Sequence, residues 1–182
     1  MPSNAPTNPL LEEGARSYPK ALQAVGEFRR QVQNICYDAM KRRLKDLVDA
    51  LGLRLEANQL KRYAVPDKLD PDYLDGTWAS LGAKIEPARV KWSLWNYVYW
   101  DKDTVRVCVS FAFTDSRLGE RVQAVTEKHG TSLDPKEVYL SRPVGADGLS
   151  GLDSTLEELN FKWIEVWRNV GGVKQFLGGR RD

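Results

Sequence analysis

Residues 90–113 read VKWSLWNYVYWDKDTVRVCVSFAF and hold seven aromatic side chains: Trp92, Trp95, Tyr97, Tyr99, Trp100, Phe111 and Phe113. Side chains along a strand point alternately to opposite faces, so every second residue shares a surface. Val90, Trp92, Leu94, Val98 and Trp100 fall on even positions, interrupted only by Asn96. Val105, Val107, Val109, Phe111 and Phe113 fall on odd ones. This change of parity across Asp101-Lys102-Asp103 sets the register of a β-hairpin. Trp100 opposite Val105 brings Val98 against Val107, Leu94 against Phe111 and Trp92 against Phe113, which places both apolar sets on one face. A slip by one residue would bring Val98 against Arg106 and expose half of the set. Residues 101–104 are left as a short turn, either a two-residue loop or a four-residue one.

The other face presents Ser93, Trp95, Tyr97 and Tyr99 opposite Ala112, Ser110, Cys108 and Arg106. A solvated face of an antiparallel pair is ordinarily polar, so three large aromatics there require a cover. A helix of the same chain would supply it, and so would a protein partner or stacked bases. The neighbouring Tyr99 and Arg106 suit either kind of partner.

With 182 residues, 42% of them hydrophobic and 29% charged, the chain fits one globular domain with a sizeable core. Its net charge of +2 is too small to indicate nucleic acid by itself. Two cysteines in separate segments, Cys36 and Cys108, do not suggest a disulfide scaffold, and a cytoplasmic protein is expected. No apolar run approaches the roughly 18 residues of a membrane span, so no membrane partner is expected.

Residues 1–18, rich in Pro, Asn, Ser and Thr and without periodicity, read as a flexible tail. From Pro19 a helix is predicted to Leu51, just before Gly52. Leu22, Val25, Phe28, Val32, Ile35 or Cys36, Ala39 or Met40, Leu44, Leu47 or Val48, and Leu51 recur at spacings of three and four and mark its buried side. Such a helix would run about 50 Å, longer than this domain needs, so a break near Gly26 or Asn34, or an overhang, is expected. Its other side carries Lys41, Arg42, Arg43 and Lys45. A run of this kind is ordinarily a solvated face, but beside the aromatic sheet face it would complete a basic groove with stacking platforms.

Residues 53–63 are expected to add a helical turn or two, and 78–85 to form a strand beside the hairpin, giving three strands. A thin helix is predicted at 117–129, and a short edge strand at 138–140 between Pro135 and Pro143. Ser154 and Glu157 read as a capping box opening the last helix. Within it Trp163 and Trp167 stand one turn apart on one face, and the aromatic face of the hairpin is the expected seat for them. Residues 178–182 read as a second tail, which leaves 19–177 as a single domain.

Catalytic chemistry finds little support. The acidic loop at 65–76, VPDKLDPDYLDG, has Leu74 where a calcium loop needs its third ligand and Leu81 where it needs the closing Glu. His129, beside Gly130, has no serine or cysteine placed to form a triad. Two cysteines and one histidine do not make a zinc set, and no glycine-rich phosphate loop is present. A metal-dependent phosphodiester hydrolase would have to gather Asp101, Asp103 and Asp115 in the fold. No catalytic residue, metal ligand or cofactor is assigned.

The expected fold is α+β: a small, mainly antiparallel sheet built on the aromatic hairpin, packed by a long N-terminal helix and a C-terminal helix. The expected function is a non-catalytic interaction protein binding another macromolecule, a protein or a second copy ahead of nucleic acid. The residues expected to carry it are Trp95, Tyr97, Tyr99, Arg106, Lys41, Arg42, Arg43 and Lys45. Single-stranded nucleic-acid binding and phosphodiester hydrolysis are the alternatives.

Overall fold

The structure, a computed structural model, describes residues 9–51, 59–65, 79–86, 92–101, 104–114, 116–126, 132–134, 136–144 and 148–169. The acidic loop at 66–76, Asp103, Asp115, His129 and the tail at 178–182 lie outside the described residues. The chain divides into two compact units, Met1–Gln31 and Val32–Asp182, where the sequence predicts a boundary after residue 18.

The second unit is α+β, and the hairpin forms its centre. Strands β3 (Trp92–Asp101) and β4 (Thr104–Phe113) pair antiparallel in the predicted register, from Trp92 opposite Phe113 to Trp100 opposite Val105. Asp101 opposes Thr104, which selects the two-residue form of the turn. β2 (Ala79–Ile85) flanks β3, as the sequence indicated, but the sheet does not stop there. β1 (Leu60–Val65), expected as helix, pairs with β2 along its whole length. Local helical preference is overridden because β2 would otherwise present a bare row of backbone donors and acceptors. On the far side, β6 (Glu137–Pro143) is more than twice the predicted length and is no edge strand. It runs between β4 and the three-residue β5 (Ser132–Asp134), with Pro143, which cannot donate to a ladder, as its last residue. The six strands follow the order β1-β2-β3-β4-β6-β5. α2 (Ser116–Thr126) lies against β4 and β6.

α3 (Leu152–Asn169) follows a 3-10 turn at Gly148–Gly151. Trp163 donates its indole N–H to the Val109 carbonyl at 2.7 Å, and Trp163 and Trp167 stack on each other with centroids 5.0 Å apart. Both meet the Phe111 ring edge-on, at 5.6 Å and 4.7 Å. Phe111 belongs with Leu94, Val98 and Val107, so α3 covers that face and not the side of Trp95, Tyr97 and Tyr99, as the sequence had suggested. Leu94, Val98, Val107, Val109 and Phe111 are all buried there. The physical reason is the amount of apolar surface removed from water: this face is apolar apart from Asn96, whereas Ser80, Gly82, Ser93 and Ser110 interrupt the other. The capping box is not formed either. The Ser154 and Thr155 hydroxyls both donate back to the Gly151 carbonyl at 2.9 Å, and Glu157 is engaged elsewhere.

Its partners stand on α1 (Pro9–Leu51). Glu157 accepts from Arg42 at 2.6 Å and from Arg43 at 2.7 Å, while Arg42 also bonds Asp153. Burial alone would raise the Glu157 carboxyl, but the hydrogen bonds from the two guanidinium groups outweigh it and hold it below its ordinary value. The same helix is fastened to β1. Gln33 donates to the Tyr63 carbonyl at 2.7 Å, Arg62 donates to the Asn34 side chain at 2.8 Å, and Arg62 lies 4.2 Å from the Tyr37 ring centroid. Between these ties Val32, Cys36, Ala39, Met40 and Leu47 are buried at helical spacing.

In the first unit α1 starts at Pro9, so residues 9–18, expected as tail, are helical, and the helix runs on through Pro19 without a break. Residues 9–25 are exposed throughout. Gly14, Pro19 and Gly26 together disfavour this helix by about 5 kcal/mol relative to alanine.

Candidate interaction surface on the sheet

The face opposite α3 is built from rows running across the sheet. The middle row reads Tyr63, Gly82, Tyr97, Cys108, Ser141, with one residue from each of β1, β2, β3, β4 and β6. One row over stand Lys84, Trp95, Ser110 and Tyr139, and on the other side Ser80, Tyr99, Arg106 and Pro143. Large side chains thus alternate with small ones, and the rings lean across the gaps.

Gly82 makes this possible. A Cβ there would stand 2.1 Å from the Asn96 carbonyl oxygen and 2.7 Å from the Tyr97 Cα, so only glycine allows β2 and β3 to approach this closely. The lane it leaves open lets Tyr63 reach Trp95 edge-on at 4.5 Å and Tyr97 at 6.4 Å, and Tyr97 and Tyr99 sit 5.7 Å apart.

Polar contacts hold the rings in place. Tyr97 donates its hydroxyl to Glu137 at 2.8 Å, and the Trp95 indole N–H donates to Ser93. Lys84 stands 5.0 Å from the Trp95 ring centroid while paired to Glu86 at 2.7 Å. Arg106 donates to the Ser141 hydroxyl from Nε at 3.3 Å and from Nη2 at 3.0 Å. Burial pushes the Tyr97 phenol far above its ordinary value, with the neighbouring Cys108 and Glu137 adding to it. Tyr63 is raised in the same way, by burial first and then by the Cys36 thiol. Tyr99 is raised by burial, with the Arg106 charge opposing. The Cys108 thiol is buried and raised, mainly by desolvation, so it is an unreactive wall of the cluster.

Of the residues singled out in the sequence, Trp95, Tyr97, Tyr99 and Arg106 therefore come together. Tyr97 is only 8% exposed, while Trp95, Tyr99 and Arg106 are half-buried and form the rim. The basic run does not join them. Arg42 and Arg43 are tied to Asp153 and Glu157 of α3, and among the described contacts none links Lys41, Arg42, Arg43 or Lys45 to the rings. Lys41 and Lys45 are exposed. Tyr63, Lys84, Glu137 and Tyr139 are members that sequence reading missed. The alternation of Ser80, Gly82 and Lys84 could have yielded Lys84, but Tyr63 was hidden by the helical reading of its segment.

Among the described residues, no group of three His, Cys, Asp or Glu could hold a metal ion. None of their helices is long and apolar enough to cross a membrane. No protein-family model, no curated protein and no solved structure matches this chain.

Proposed function

We propose that this chain is a binding module that recognises a protein partner through the rim of the aromatic sheet face, chiefly Trp95, Tyr99, Lys84 and Arg106. The observation that supports it is a half-buried Trp and Tyr, each with a cation beside it, on the sheet face that α3 leaves to other cover. Aromatic rings and arginine are the side chains that dominate protein interfaces: the rings bury large areas at small entropic cost, and the guanidinium adds a planar set of hydrogen-bond donors.

A protein is favoured over a nucleic acid by the charge balance of the rim. Lys84 is neutralised by Glu86, and Glu137 stands at the same face bonded to Tyr97. A surface that gathers phosphates needs cations in excess, and its affinity falls steeply with salt. The Trp95→Ala/Tyr99→Ala double variant should fold, since both side chains are rim residues, and should lose a protein that the unaltered chain captures from host extract. Capture of the same proteins by both would refute the assignment. Binding of a labelled oligonucleotide that weakens steeply with salt would instead place nucleic acid on this face.

A further inference from the structure

Among the described residues of the second unit, four cationic side chains are half-buried: Arg43, Lys84, Arg106 and Arg142. Three of them have a carboxylate partner. Arg43 bonds Glu157 at 2.7 Å, Lys84 bonds Glu86 at 2.7 Å and Arg142 bonds Glu158 at 2.5 Å. Arg106 differs, because its described bonds run from Nε and Nη2 to the neutral hydroxyl oxygen of Ser141. Drawing a guanidinium partly out of water without a counter-ion carries a desolvation cost that one neutral hydroxyl does not offset.

We infer that Arg106 is the receptor for an Asp or Glu carboxylate of an acidic peptide segment that also carries apolar or aromatic side chains; this rests on the protein-binding reading of the same face. Ser141 occupies the Nε edge of the guanidinium, which leaves both Nη1 N–H groups and one on Nη2. The Nη1 and Nη2 pair is the fork that a carboxylate takes with both oxygens. Tyr99 stands directly opposite Arg106, so the segment meets a ring where its carboxylate meets the fork. Trp95 lies four residues from Tyr99 on the same face, about 13 Å along β3, within reach of one extended segment. Charge selects the anion. One guanidinium matches the single charge of a carboxylate, Lys84 is already matched by Glu86, and Glu137 adds negative charge to the face, so a doubly charged phosphate is disfavoured. A chain-end carboxylate is ordinarily captured in a nest of backbone N–H groups, which β3 and β4, paired on both sides, do not offer.

A fluorescein-labelled random copolymer of glutamate and tyrosine, titrated with the full chain and followed by anisotropy, tests this. Saturable binding is expected, and Arg106→Gln should weaken it about ten-fold with the near-UV circular dichroism unchanged. Arg106→Lys, which keeps the charge without the fork, should recover only part of the loss. On the unaltered chain, neither a copolymer with glutamine in place of glutamate nor millimolar inorganic phosphate should displace the probe, and these two measurements do not depend on how a variant folds. Absence of binding, displacement by either competitor, or an Arg106→Gln variant that binds as tightly as the unaltered chain overturns the inference. Full recovery in Arg106→Lys overturns the two-oxygen contact. If Trp95→Ala/Tyr99→Ala loses the probe while Arg106→Gln keeps it, the face still binds protein but not through this anion; if neither variant changes the binding, the reading of the face fails as well.

Discussion

Trp163 and Trp167 stack on each other under the sheet, yet their indole N–H groups are in opposite situations. That of Trp163 donates to the Val109 carbonyl at 2.7 Å, whereas that of Trp167 is buried with no partner. Replacing either ring with phenylalanine removes a similar volume, which costs about 1–2 kcal/mol when the site relaxes only partly. Trp163→Phe additionally loses a buried hydrogen bond, about 1 kcal/mol net. Trp167→Phe instead removes an unsatisfied donor, whose burial costs about 1–3 kcal/mol, so its volume loss is largely offset. Trp163→Phe should therefore destabilise by about 2–3 kcal/mol and Trp167→Phe by about 1 kcal/mol or less, a gap of at least about 1 kcal/mol. Urea unfolding followed by far-UV circular dichroism resolves this. With an m-value of about 1–3 kcal/mol per molar, the two midpoints should differ by at least about 0.3 M at equal slopes. If Trp167→Phe proves as damaging as Trp163→Phe, the assignment of the two indole environments is wrong, and with it the account of how α3 is keyed to β4.

Gly82→Ala should destabilise by about 3 kcal/mol or more, because the added methyl collides with β3 backbone and not with a flexible side-chain end; a midpoint unchanged within error in the same assay would contradict the close approach. Asn96 is fully buried with neither amide atom hydrogen-bonded, so Asn96→Leu should raise stability by about 1–2 kcal/mol, and a loss of that size would show that the amide has a partner. Glu157 is held below its ordinary value of 4.5, so the stability it contributes is present above that pH and is lost as the pH falls through the lowered folded value. Arg42 and Arg43 are 46% and 38% exposed, so solvent screening limits the contribution to about 1 kcal/mol. Glu157→Gln should therefore be less stable than the unaltered chain near neutral pH and match it in acid, whereas a difference that persists in acid would assign the effect to packing.

The sequence by itself determined the hairpin, its register and the membership of both of its faces. Each depends on the two-residue period of a strand and on a parity change across a short turn, which are properties of neighbouring residues alone. It also sufficed for the α+β class and for the pairing of Trp163 with Trp167 on one side of a helix. What it left undecided, or misread, depends on competition between distant segments. Residues 60–65 became β1 because β2 offered an open edge. Residues 137–143 became an interior strand because β5 added itself outside them. α3 went to the face of Val98 and Val107 because that surface is apolar apart from Asn96, while the aromatic face is broken by Gly82 and serines. The same competition divided the candidate site. Arg42 and Arg43 look like free surface charge in the sequence, but Asp153 and Glu157, more than a hundred residues away, hold them beside α3 and away from the rings. Trp95, Tyr97, Tyr99 and Arg106 stayed together because strand geometry alone unites them, and Tyr63 joined them only because the sheet folded around a glycine.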